Sequence, residues 1–141
     1  HNILIGERTA EEIKCQVGSV MPLKEEVIIE VKGRDLVAGI PKITEVSSIE
    51  IRESLNAPVT AMIEAVKVAL EKTAPELSSD LLDRGIFLTG GGALIKGLDE
   101  RIKTETGVPV YVAEDPLTAV ARGTGKVLED LDYYKKVLLR R

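Results

Sequence analysis

Chemistry in this sequence would have to come from two places. The first is Thr89-Gly90-Gly91-Gly92-Ala93, a glycine triplet directly after the apolar run Ile86-Phe87-Leu88. Glycines at a strand end let the backbone approach a ligand with no side chain between, and a helix behind such a turn presents free N–H groups. That arrangement can cradle phosphate or ribose, but a glycine triplet can equally be a tight turn and nothing else. The second place is the first helical segment, where Glu11 and Lys14 stand three residues apart and so share a face. A carboxylate and an ammonium on one face can grip a ribose hydroxyl pair and flank an adenine. The same pair can also be an ordinary solvated ion pair.

Other chemistries are excluded by residue type. His1 is the only histidine and stands at the terminus, so Ser-His-Asp and Cys-His arrangements and Cys/His zinc sites cannot be assembled. Gly123-Thr124-Gly125-Lys126 looks superficially like a phosphate loop, but Val120 replaces its first glycine and Val127 its magnesium-binding hydroxyl. Those glycines instead suit close packing of the last helix. The chain carries 19 Lys and Arg against 23 Asp and Glu, a net charge of -4, and its only aromatic residues are Phe87, Tyr111, Tyr133 and Tyr134. A nucleic-acid partner is therefore not expected, since it would require a basic face and stacking rings. Cys15 is the single cysteine, which excludes an internal disulfide and makes the cytoplasm the default compartment. No apolar run approaches the roughly 20 residues of a membrane span, and His1 to Arg8 lacks the plan of a signal peptide. The sequence begins with His1 and enters at once the apolar stretch Ile3 to Ile5, so we expect it to begin inside a longer protein.

Periodicity supplies the elements that would position these residues. Thr9 followed by Glu12 has capping-box spacing, with Ile13 and Val17 at helical intervals, predicting a helix over about 10–17. Val27, Ile29 and Val31 alternate as in a half-buried strand, Gly33-Arg34-Asp35 reads as a turn, and a second extended stretch covers about 36–46. A helical pattern begins at Ser48, with Pro58 marking a kink or a new start. Val59, Met62, Ile63, Val66, Ala69 and Leu70 then form one stripe up to the stop at Pro75. A strand over 86–89, the glycine turn, and a helix carrying Leu94, Ile95, Leu98 and Ile102 follow. Gly107 ends that helix, 108–112 is a second buried strand, and Asp115-Pro116 caps a last helix with its stripe from Leu117 to Leu131. Two buried strands, each followed by an amphipathic helix, predict an α/β layer. The basic end, 135–141, reads as a frayed tail.

Five strings add a resemblance. Ile5-Gly6-Glu7-Arg8-Thr9-Ala10-Glu11, Gly33-Arg34-Asp35-Leu36, Pro75-Glu76-Leu77, Arg84-Gly85-Ile86-Phe87-Leu88-Thr89-Gly90-Gly91-Gly92-Ala93-Leu94 and Glu114-Asp115-Pro116-Leu117-Thr118-Ala119-Val120-Ala121 stand in that order. Together they resemble the C-terminal portion of the MreB family of bacterial actin-like, rod-shape-determining proteins, up to about residue 130.

The resemblance implies the actin and heat-shock chaperone ATPase fold, two halves closing on a nucleotide, with this chain forming most of the second half. Residues 1–56 would be its small outer lobe, and 57–141 part of its larger α/β inner lobe with the C-terminal helix. Gly90, Gly91, Gly92 and Ala93 would lie against the sugar and phosphate region, and Glu11 and Lys14 would close over ribose and adenine. Arg8 and Thr9 would be neighbours of that contact, Thr9 serving as the helix cap. The whole protein would bind ATP with Mg, hydrolyse it, self-associate into filaments and work with cell-shape and wall-synthesis proteins. No catalytic or metal-binding residue is expected in this chain, since those motifs belong to the other half, as does any membrane contact. A heat-shock-type chaperone or a sugar kinase on the same fold is the alternative, although the compact first lobe leaves little room for a kinase's substrate pocket.

Overall fold

The computed structural model describes residues 1–135, so residues 136–141 of the expected tail lie outside the described residues. The chain opens with a short strand, β1 (Ile3–Leu4), and a helix, α1 (Glu7–Val17). This helix starts earlier than the sequence pattern suggests. Its N-cap is Gly6, whose carbonyl accepts from the Ala10 amide at 3.0 Å. Thr9 lies inside the first turn and caps nothing, because the Glu12 carboxylate that would complete its capping box is held by Arg8 at 3.0 Å.

The hairpin that follows is β2 (Ile28–Asp35) with β3 (Pro41–Ser47), and β1 adds to the other edge of β2 to give an antiparallel order β1-β2-β3. Gly33 is a strand residue opposite Lys42, not a turn residue. The approach of β1 explains its identity: a Cβ there would meet the Leu4 carbonyl oxygen at 2.5 Å and the Ile3 side chain at 2.7 Å. The turn falls four residues later, where the Asp35 carboxylate accepts from the amides of Val37 at 2.8 Å and Ala38 at 2.9 Å. Lys42 completes that cluster at 3.1 Å. These donors, the Ala38 and Val37 amides first, hold the Asp35 carboxyl down to about 2.

From Ser48 to Glu71 runs one unbroken helix, α2. Its start is fixed by a capping box: the Ser47 hydroxyl accepts from the Glu50 amide, and the Glu50 carboxylate accepts from the Ser47 amide. Pro58 sits inside α2 without ending it. An interior proline costs about 3 kcal/mol, but Val59 and Ile63, on the inner face just after it, are 3% and 2% exposed. Fully burying two such side chains contributes roughly 3–6 kcal/mol, enough to keep the helix continuous. Leu55 and Val66 join them, whereas Met62 of the predicted stripe faces solvent.

Pro75 does not merely stop a helix. It stands at the first turn of another, α3 (Pro75–Arg84), which the sequence pattern did not reveal. Then β4 (Ile86–Leu88) pairs in parallel with β5 (Val110–Val112), Ile86 opposite Val110 and Leu88 opposite Val112, so the two predicted strands do share a sheet. Between them lie a single 3-10 turn, Gly91–Leu94, and α4 (Leu98–Thr106). The helix expected to carry Leu94 to Ile102 is thus interrupted, with Gly97 as the N-cap of α4. The last helices are α5 (Ala119–Glu129) and α6 (Leu131–Tyr134). Asp115 is not the cap of α5; it accepts from the Thr118 hydroxyl in a preceding turn, and Thr118 holds the N-cap position. The α5 stripe is also not packed, with Leu117, Val120 and Leu128 all exposed.

Buried side chains gather in two clusters. Ile13, Val17, Val31 and Val46 join α1 to the hairpin, and Val20, Val59, Ile63, Leu98, Ile102 and Val110 join α2 and α4 to the parallel pair. Helix α2 serves both, since Ile51 packs on the first cluster and Val59 on the second. Residue 56 therefore falls inside a continuous helix. Among the described residues no helix is long and apolar enough to cross a membrane.

Candidate functional site

The two stretches singled out by residue type come together in space. Glu11 and Lys14 of α1 and Gly91 of the glycine turn line one cavity of about 390 Å³, closed further by Leu94, Ile95 and Leu117. That volume is within the ordinary range for a small-molecule site. Gly90 sets the turn: it has φ of 81°, a left-handed conformation costly for any residue with a Cβ, and its amide donates to the Pro116 carbonyl at 2.6 Å. That bond carries the Pro116–Thr118 turn, and Leu117 with it, to the rim of the cavity.

Inside the cavity the Lys14 ammonium donates to Glu11 Oε2 at 2.5 Å, and the Cys15 thiol lies 3.7 Å from Glu11 Oε1. The hydrogen bond from Lys14 holds the Glu11 carboxyl below its ordinary value, and the same bond raises Lys14. Both are charged at neutral pH. Their side chains remain 61% and 39% exposed, so the pair contributes little to the fold and stays open to a ligand. An ionised carboxylate offers about four lone-pair sites, which leaves Glu11 acceptor capacity for hydroxyl donors. Leu94, Ile95 and Leu117 give the same cavity an apolar wall. The cavity thus combines a carboxylate, an apolar surface and bare backbone at Gly91, and can take a ligand with both apolar and hydroxylated parts.

Not all of the expected residues meet there. Arg8 points to solvent and pairs with Glu12. Thr9 borders a separate cleft with Ile13 and Val31 of the hairpin side. Gly90 and Gly92 shape the turn without lining the cavity, and Ala93 is buried behind it. Conversely, Cys15, Gly18, Leu94, Ile95 and Leu117 line the cavity without having been singled out. Cys15 and Gly18 follow Glu11 at four and seven residues, the helical spacing of Glu11 and Lys14 themselves, so a signal for them existed. Leu117 had none, because only the bond from Gly90 to Pro116 brings it close.

The MreB/Mbl protein family matches residues 1–136 of the chain. The chain belongs to this family. The cell shape-determining protein MreB of Escherichia coli (strain K12) is 54% identical over 131 residues, covering 93% of this chain and 38% of that protein. Among solved structures, MreB5 of Spiroplasma citri bound to ADP superposes with a TM-score of 0.88 at 37% identity, covering 92% of this chain and 40% of that one. The MamK double helical filament superposes with a TM-score of 0.74 at 23% identity, covering 92% and 39%, and shows the fold alone. The expected actin-like α/β fold is thus observed. Neither the chaperone nor the kinase alternative is favoured. The chain spans about two fifths of the length of these MreB/Mbl relatives.

Proposed function

We propose that this chain forms one wall of the ATP cleft of a filament-forming bacterial actin that organises wall synthesis and rod shape. The carrying observation is the convergence of Glu11 and Lys14 with Gly91, at least 77 residues further along the sequence, on one cavity with an apolar wall. MreB5 of Spiroplasma citri, 37% identical to this chain, was solved with ADP bound, which supports a purine nucleotide as the occupant. Glu11 accepts hydrogen bonds from the ribose hydroxyls, Lys14 keeps that carboxylate ionised, and Leu94, Ile95 and Leu117 exclude water from the base. Gly91 gives the ligand its closest backbone approach, while Gly90, Gly92 and Ala93 hold the turn in shape. Arg8 and Thr9 lie outside the cavity and act only by supporting α1. ATP, with its Mg, would supply the hydrolysable phosphate anhydride, but its phosphates and the catalytic groups fall to the other half of the protein.

Residues 1–56 and 57–141 are proposed as the outer and inner lobes of the second half, with the Ile13, Val17, Val31 and Val46 cluster as the core of the first, although Val20 and Leu55 pack with the core of the second. In the whole protein, closure of the two halves on nucleotide aligns subunits for self-association, and partners are other cell-shape and wall-synthesis proteins. The setting is the cytoplasm, with membrane contact made by the other half. Calorimetric titration of the full-length protein with ATP and Mg tests the reading. Glu11→Ala removes the ribose acceptor and should weaken binding about tenfold to a hundredfold, the range for a hydrogen bond to a charged group. Unchanged affinity in that variant, with the fold intact by circular dichroism, rejects the site.

A further inference from the structure

The two walls of the cavity come from segments about 80 residues apart, α1 on one side and the turn at 91–95 on the other, so something must set their spacing. A backbone bridge pairs Ser19 with Lys96, and the Val20 amide donates to the Lys96 carbonyl at 2.9 Å. These bonds anchor the strand-like exit from α1. Ile13 and Val17 pack the helix on the hairpin, a contact that does not include the 91–95 turn, and the chain leaves α1 at Gly18 in extended conformation, φ -64° and ψ 124°. One side chain ties the last turn of the helix to the end of the 91–95 wall. Lys96 Nζ donates to the Gln16 carbonyl at 3.2 Å, across 80 residues of sequence. Gln16 is in the last turn of α1, where carbonyls lack intrahelical donors and the helix carries partial negative charge. An ammonium is suited to that position.

We propose that Lys96 is a positioning residue for the cavity: seated on the Gln16 carbonyl, it holds the Glu11–Lys14 face of α1 at the distance from the Gly91–Ile95 wall that a base and ribose require. This rests on the nucleotide reading above and adds to it the residue that sets the width of the site. Lys96 does not line the cavity, so its loss acts equally on every ligand that fills the base and ribose part of the cavity, whatever phosphates it bears.

The test uses the full-length protein titrated with ATP and Mg and, separately, with ADP. Lys96→Met should weaken both by the same factor, about two- to fivefold, the size of one charge acting at a helix terminus. Lys96→Arg should restore wild-type affinity. Lys103→Met, which removes an exposed charge from α4, should leave affinity unchanged, and the urea midpoint of all three variants should stay near wild type. Wild-type affinity in Lys96→Met, failure of Lys96→Arg to restore binding, or an equal loss in Lys103→Met overturns the inference. Glu11→Ala measured alongside separates the two readings. If it weakens binding while Lys96→Met does not, only the role of Lys96 falls; if it too is silent, the nucleotide reading falls and takes this inference with it.

Discussion

Adjacent glycines at 91 and 92 should respond differently to the same substitution. A Cβ at Gly91 would meet only Leu117 Cδ2 at 3.5 Å, an ordinary contact, and a Cβ at Gly92 would meet nothing within 4 Å. Neither residue has a positive φ, so a valine is allowed by the backbone at both. Replacing glycine where the backbone permits it stabilises a protein by about 0.4–1 kcal/mol through the unfolded chain. Neither variant should therefore unfold. Their difference lies in the cavity, which Gly91 lines and Gly92 does not. Forcing a branched side chain into a filled site costs about 1–3 kcal/mol in well-packed interiors, which corresponds to roughly fivefold to 150-fold in Kd. In the full-length protein, Gly91→Val should lose that much affinity for ATP by calorimetry, and Gly92→Val should bind nearly as wild type. Equal affinities in the two variants, or a greater loss in Gly92→Val, would refute the placement of the ligand against Gly91.

Two further predictions concern the frame that carries the site. Ser47→Ala removes the hydroxyl that accepts from the Glu50 amide at 3.2 Å and should lower stability by about 0.5–2 kcal/mol, read as a lower urea midpoint; an unchanged midpoint would mean that α2 is held by packing alone. At Asp35 the folded carboxyl titrates at about 2 against an ordinary 3.8, so in that window the unfolded chain binds more protons and stability rises with pH. The contribution of Asp35 is present above 3.8 and lost as pH falls toward 2; Asp35→Asn should show a shallower acid-side decline in urea midpoint, and an identical decline would locate the acid sensitivity elsewhere.

The legible parts of the sequence were those where local pattern and tertiary burial agree. Ile86 and Leu88 alternate with Phe87, and the structure turns the first two toward Val110 and the core while leaving Phe87 exposed against Tyr111. The same agreement made the pairing of β4 with β5 readable. Errors arose where a local signal had two owners. Glu12 could serve Thr9 as a capping partner or Arg8 as an ion-pair partner, and the second won. Gly33 could be a turn residue or a strand residue beneath a neighbour, and only the approach of Leu4, remote in sequence, decides between them. Asp35, four positions from a second glycine, carried the true turn signal in its own side chain.

The last helix shows why the site was only partly readable. Its periodicity is as regular as that of α2, yet Leu117, Val120 and Leu128 are exposed while Val59 and Ile63 are sealed. Periodicity reports that a face prefers to leave water, not which surface receives it. For α2 the receiving surface is α4 and the parallel pair, within this chain. For α5 no described element covers the stripe, and the chain spans 38% of the length of its Escherichia coli relative. Leu117 belongs both to that stripe and to the wall of the cavity. A surface that packed on the α5 stripe would therefore press on one side of the proposed nucleotide cavity, so coverage of α5 and occupancy of the cavity should be coupled in the whole protein. Leu117→Ala tests this in full-length material: it should weaken ATP binding, whereas Leu128→Ala, on the same stripe but remote from the cavity, should lower stability and leave the affinity of the folded protein as it was. Equal effects on affinity would show that α5 acts on the site only through the fold.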